Sequence, residues 1–210
     1  MVTAVFFGVV LADLLGLTGA TAAGAVVVPL LATQILWVNL VTDSGPALAL
    51  GVDPEIDDVM ARPPRGLGEP ILDRPMWRRV LGVGLALGLM TLVSIDRFLP
   101  GGLLPGEGSL ETARTAGFTT LVLAQLLLAV SARSQTQPAW RRLGSNRWLL
   151  AALALGAALQ VAVVEMPPFQ RAFGTTSLTP GQWAWTVGSA VVVLLAAELD
   201  KLPDRRRAAR

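Results

Sequence analysis

WVNLVTDSGPALALG, residues 37–51, places an amide, a carboxylate and two hydroxyls inside an otherwise apolar stretch over residues 25–50. Thr33, Gln34, Asn39, Thr42, Asp43 and Ser44 are its strong polar groups, and Gly45-Pro46 follow them directly. A run of this length lets a helix cross the ~30 Å hydrocarbon core of a bilayer. A carboxylate near mid-bilayer costs about 2.5–3.5 kcal/mol even on the lenient insertion scale, so Asp43 needs a partner, a proton or a cation. Asn39 and Asp43 stand at i and i+4 and share one helix face, with Thr42 beside them.

An amide oxygen and a carboxylate are hard ligands, suited to Ca2+, Mn2+ or Mg2+ rather than to soft metals. Pro46 has no N–H to donate, and its ring clashes with the carbonyl of Thr42, four residues back. The span is therefore expected to break near Gly45-Pro46, freeing carbonyls that can also face an ion. Such backbone is tolerated at membrane depth where it lines a cavity. Two other readings fit the same spacing: polar groups that hydrogen-bond neighbouring helices, and a proton relay.

Outward from this stretch, the composition also points to lipid. Of 210 residues, 53% are hydrophobic and only 15% charged, and the mean hydropathy is positive. Soluble domains carry about 25% charged residues. With no cysteine and no histidine, the chain has no disulfide, thiolate or imidazole chemistry, and soft-metal transport is disfavoured. A nucleic-acid binder would need a basic face on a folded polar domain, and the sequence shows none.

The fold class expected is all-α, a polytopic membrane helix bundle of about six spans. One domain covers residues 1–200, with spans near 2–18, 25–50, 79–98, 112–132, 147–165 and 181–199, and residues 201–210 form a basic tail. The stretch 2–18 is short for a span, reaching about 25 Å at ~1.5 Å per residue. It lacks the basic start and small-residue cleavage site of a signal peptide, so it reads as a truncated first helix.

Arginines set the orientation. Arg62, Arg65, Arg74, Arg78 and Arg79 follow the second span, and Arg133, Arg141, Arg142 and Arg147 follow the fourth. Lys201, Arg205, Arg206, Arg207 and Arg210 lie in the tail, whereas the alternate connections carry few basic residues. The basic connections and the C-terminus are thus expected to be cytoplasmic, in a plasma (inner) membrane. Trp77, Trp140 and Trp148 would anchor that interface, and Trp183 and Trp185 the outer one; Trp37 is the exception, inside a span. Asp13, Asp96, Glu165 and Glu198 sit near span ends, where exposure is cheap. Gly84 and Gly88 form a G-x-x-x-G pair that permits close helix approach.

WVNLVTD followed by SGPALALG and VDPEIDDVMARPPR, residues 37–65, resembles the sixth helix and following cytoplasmic loop of calcium-transporting P-type ATPases. ARTAGFTTLVLAQL, residues 113–126, is similar to the family's eighth helix, and MPPFQRAFGT, residues 166–175, to its last outer loop. The resemblance covers essentially the whole chain, as the fifth to tenth helices, and is most specific over the sixth. Asn39 in place of an aspartate favours the calcium type over the sodium–potassium type. Ser44 departs from the glycine frequent there.

The resemblance implies that Asn39 and Asp43 supply side-chain oxygens to the cation site shared across calcium pumps, and that Thr42 and the eighth-helix position, here Gln125, are further candidates belonging to the second site of two-site pumps. Gln125 stands where two-site pumps carry glutamate, and the fifth-helix acidic ligand would fall near Met1. Both departures point to one ion per cycle. Gln125 also fits a plain interhelical hydrogen-bonding role. The transported ion implied is a divalent cation, Ca2+ first and Mn2+ also compatible. Partners implied are the lipid bilayer and the N-terminal, catalytic half of such a pump.

No D-K-T-G-T motif or glycine-rich phosphate loop occurs, so no ATP site and no catalytic residue is expected in this chain. Two readings follow. The chain is the membrane half of an ATP-driven pump, inactive alone because Ca2+ needs six to eight oxygens. Alternatively, it is a free-standing six-helix membrane protein, either a channel or secondary transporter or a non-transporting binding partner.

Overall fold

A computed structural model describes residues 30–53, 74–104, 108–134, 138–140 and 143–202. The expected span 2–18, the basic loop residues 62 and 65, and Asp13 lie outside them. Among the described residues the structure is all-helical, with no strand.

The polar stretch forms one continuous rod in three parts: α1 (Ala32–Val38), a π-helical segment (Asn39–Ser44) and α2 (Gly45–Gly51). Then come α3 (Arg74–Asp96), α4 (Leu110–Ser131), α5 (Arg147–Glu165), the short α6 (Pro167–Phe173) and α7 (Pro180–Asp200). The helices α3, α4, α5 and α7 are each long and apolar enough to cross a membrane.

Local sequence explains the helix starts. Ser109, Asn146 and Thr179 are N-caps whose side chains accept from the backbone N–H of Thr112, Leu149 and Gln182. Gln182 returns the bond to Thr179 N–H, closing a capping box, and Pro180 stands where no N–H is needed. Gly174, at φ +59°, ends α6 in the left-handed conformation that a side chain would strain.

The helix α4 is the axis of the bundle. In it, 72% of the apolar window is buried within the protein, against 28–33% in the other three long helices. It packs most extensively on α7 and α3, which also pack on each other, while α2 lies along α5. Phe118, Leu121 and Val122 of α4 meet Leu87 of α3, Val163 of α5 and Val193 of α7 in the core. Outward faces are apolar: Leu36, Leu48, Leu81 and Leu155 are each more than 60% exposed. That inverted pattern is what lipid as solvent requires.

Lipid gives helices no hydrophobic reason to associate, so close packing and interhelical hydrogen bonds hold the bundle. Thr120 of α4 donates to Ser94 of α3 at 3.0 Å, and Ser94 lies 3.3 Å from both Ser189 Oγ and Trp185 Nε1 of α7. Bonds of this kind contribute about 0.6 kcal/mol each. Gly117 of α4 faces Ile95 of α3 so closely that a Cβ there would collide with it.

Two expectations for span ends change here. Glu198 and Lys201, read as an interfacial helix end and the start of the basic tail, are only 5% and 3% exposed. Glu198 accepts from Ser131 Oγ and Lys201 Nζ, both at 2.7 Å, so it is paired inside the bundle rather than cheaply solvated. Trp37, the tryptophan inside a span, also finds its reason. Its indole N–H donates to Gln160 Oε1 at 3.1 Å, and its ring meets Phe173 edge-on at 4.9 Å.

Candidate cation site

The segment Asn39–Ser44 is where the sequence places its densest polarity, and there the rod widens into π geometry. The expected break takes this form: the backbone stays helical but is loosened one turn ahead of Pro46, which cannot supply an N–H. Single π turns inside α-helices recur at functional sites because they shift carbonyls off the regular ladder.

Thr42 is the best-defined member, 7% exposed. Its hydroxyl lies 2.7 Å from Val38 O and 2.6 Å from Gln125 Oε1 of α4. A hydroxyl has one proton to give, and two acceptor oxygens converge on it. With its proton given to Val38 O, the hydroxyl is satisfied when the Gln125 amide turns its N–H to it, so this is a tight interhelical polar contact of two neutral groups. Gln125 is itself 7% exposed, and its side-chain amide meets the π segment directly.

Of the four residues singled out in the sequence, Thr42 and Gln125 are brought together. Asn39 is half-buried one turn earlier on the same π segment. The backbone of Asp43 lies in that segment, and its side chain lies outside what is described. Among the described residues no group of three acidic or other strong ligands gathers that could hold a metal ion. The described contribution is therefore of neutral oxygens.

Beside Thr42 and Gln125 lies a cavity of about 510 Å3 between α2, α3, α4 and α7. Gly84, Leu87 and Leu128 form part of its largely apolar wall, and Arg79 and Lys201 stand at its basic end.

Sequence reasoning missed a second polar cluster where α2, α4 and α5 meet. Asp53, two residues beyond α2, takes a bidentate pair from Arg133, with Nε 2.7 Å from Oδ2 and Nη2 2.8 Å from Oδ1. The Arg133 side chain is 2% exposed and that of Asp53 11%. Asn146 Nδ2 donates to Ala49 O at 2.8 Å and to Asp53 Oδ1 at 3.1 Å, while its Oδ1 caps α5. The hydrogen bonds from Arg133 hold the Asp53 carboxyl below the ordinary value of 3.8 against the opposing effect of burial, with Asn146 assisting. No motif in the sequence marks this cluster, because its members are 80 and 93 positions apart.

An apolar helix bundle around one polar, π-widened segment defines the class: a polytopic, membrane-integral helical domain. A family model described as the C-terminus of cation transporting ATPases matches residues 27–202, and the chain belongs to that family.

Its relatives agree. A calcium-transporting ATPase of Bacillus subtilis is 37% identical over 177 residues, covering 83% of this chain and 19% of the relative. The calcium-transporting ATPase type 2C member 2 of Mus musculus is 37% identical over 181 residues, covering 84% and 18%. The probable cation-transporting ATPase F of Mycobacterium tuberculosis is 32% identical over 191 residues, covering 90% and 20%. The chain thus spans about a fifth of the length of the curated relatives it matches.

Proposed function

We propose that this chain is the membrane half of an ATP-driven divalent cation pump, with Ca2+ as the favoured ion and Mn2+ compatible. The observation that carries the reading is the Thr42–Gln125 contact at 2.6 Å on a π-helical segment within the bundle. Asn39 and Asp43 are the main ligands in this reading, and Thr42 and Gln125 contribute further oxygens. The arginine-rich ends of the helices face the cytoplasm of a plasma membrane.

Calcium takes six to eight oxygens, and these side chains with a few carbonyls do not reach that number. The cavity beside Thr42 and Gln125 gives further ligands room to approach. Such ligands, and the energy of ATP, come from a catalytic half in this reading, so the chain alone is inactive. The names of the calcium-transporting relatives support the choice of ion.

A chimera tests the proposal. In the Bacillus subtilis relative, the matching C-terminal fifth is replaced by this chain, and ATP-dependent 45Ca2+ uptake is measured in inverted membrane vesicles. Uptake is expected, with Asp43→Ala and Asn39→Ala each abolishing it. A chimera that pumps equally well with both substitutions would refute the site. ATP-independent, Asp43-dependent flux through the chain alone would instead favour a channel or secondary transporter.

A further inference from the structure

We infer that Asp53, Arg133 and Asn146 form a positioning device that seats the site-bearing rod against α4 and α5, and so holds Thr42 at Gln125. The argument is one of lever arms. Asp53 stands eleven residues after Thr42, just past the end of the rod, and Arg133 eight residues after Gln125, just past the end of α4. A single bidentate pair joins these two ends at 2.7 and 2.8 Å. A rod and a helix pinned at one point and touching at a second have little freedom left to slide past each other.

Asn146 adds the third helix. Its amide N–H groups reach a carbonyl of the last turn of α2 and the Asp53 carboxylate, while its oxygen starts α5. Arg133 also donates to Ser145 at 2.7 Å, just ahead of that start. The ends of α2 and α4 and the beginning of α5 therefore share one nearly dry polar knot. A planar guanidinium fork suits this task, because it fixes direction as well as distance. None of the three residues touches the Thr42–Gln125 pair, so they act on the site only through the helices they join.

That the seated pair belongs to a cation site rests on the reading above, but the geometry can be measured without any ion. The parent chain has no cysteine, so introduced thiols are the only ones present. A Cβ at Gly45, the residue directly after the π segment, would lie 3.6 Å from Ala152 Cβ of α5, within disulfide range. A control pair replaces Ser94 and Ser189, whose hydroxyls are 3.3 Å apart between α3 and α7, away from the knot.

In native membranes, the full chain with Gly45→Cys/Ala152→Cys is expected to form its disulfide readily under mild oxidant. Asp53→Asn or Arg133→Gln should slow that reaction about tenfold or more, the scale on which removing one partner of a buried pair acts. The reversed pair Asp53→Arg/Arg133→Asp should recover much of the rate, and the Ser94→Cys/Ser189→Cys control should be unaffected throughout. Unchanged Gly45→Cys/Ala152→Cys cross-linking in both single variants overturns the inference. So does loss of cross-linking in the control pair as well, which would make the knot a requirement of the whole fold. Either result leaves the uptake experiment on the chimera standing, and failure of that experiment leaves this one standing.

Discussion

Lys201 donates its ammonium to the backbone oxygen of Ser131 at 2.7 Å, closing the C-terminal end of α4 from the end of α7. The same ammonium holds Glu198 at 2.7 Å, and Glu198 in turn accepts from the Ser131 hydroxyl at 2.7 Å. A cation at a helix C-terminus is favoured by the carbonyls left open there, and here the cation is buried as well.

Lys201→Met should lower stability by about 3–5 kcal/mol, because it strands a buried carboxylate. Glu198→Gln/Lys201→Met should cost less than either substitution alone. Thermal unfolding in detergent reads both, and a double variant as unstable as the sum of the singles would contradict the pairing.

At the candidate site, Thr42→Val keeps the shape but removes the hydroxyl that meets Gln125. It should cost about 1–3 kcal/mol, the scale for leaving a buried polar group unpaired. Thr42→Ser should behave like the parent, since it keeps the oxygen bonded to both Val38 O and Gln125. In the chimera, Gln125→Leu should weaken 45Ca2+ uptake by raising the concentration needed for half-maximal rate.

The Asp53 carboxyl is held below its ordinary 3.8, so its folded-state proton affinity is lower than in the unfolded chain. Its contribution to stability is fully present above that ordinary value and fades as pH falls through the lower folded value. The gap in melting temperature between parent and Asp53→Asn should therefore be constant near neutrality and shrink only in strong acid. A gap that closes between neutrality and mild acid would point to another titrating group.

Trp37→Phe should preserve the edge contact with Phe173 and lose the bond to Gln160, which is completely buried. The expected cost is about 1–3 kcal/mol. Trp37→Phe/Gln160→Leu should recover part of it in the same melting assay, since both partners of the bond are then apolar.

The all-α membrane bundle was legible because apolar run length is a local property. Thr42 stood out as a strong polar group inside an apolar run, whereas Gln125 was singled out only by the resemblance to the eighth helix of calcium pumps; their contact is what the structure adds. What stayed hidden were contacts that depend on which helix lies beside which. Arg133 and Asp53 each look like ordinary loop charges in sequence, yet they face each other in an almost dry pocket. Glu198 looked cheap because it stands near a span end; only the approach of α4 makes its surroundings dry. The proline at 46 signalled a disturbed helix but not its form, since a break and a π turn both satisfy a missing donor.

The burial of most of α4 also bears on how the chain is made. Thr115, Thr119, Thr120 and Gln125 are polar, and all are shielded in the finished bundle. The helix that covers α4 most extensively, α7, emerges from the ribosome about fifty residues after α4 is complete. Until then the face of α4 that α7 covers meets lipid or a chaperone, although Gln125 already has Thr42 beside it and Thr120 has Ser94 of α3. A message cut short before residue 180 would thus yield a bundle whose axis is left bare on the side it packs most extensively, a mark that membrane quality control can read.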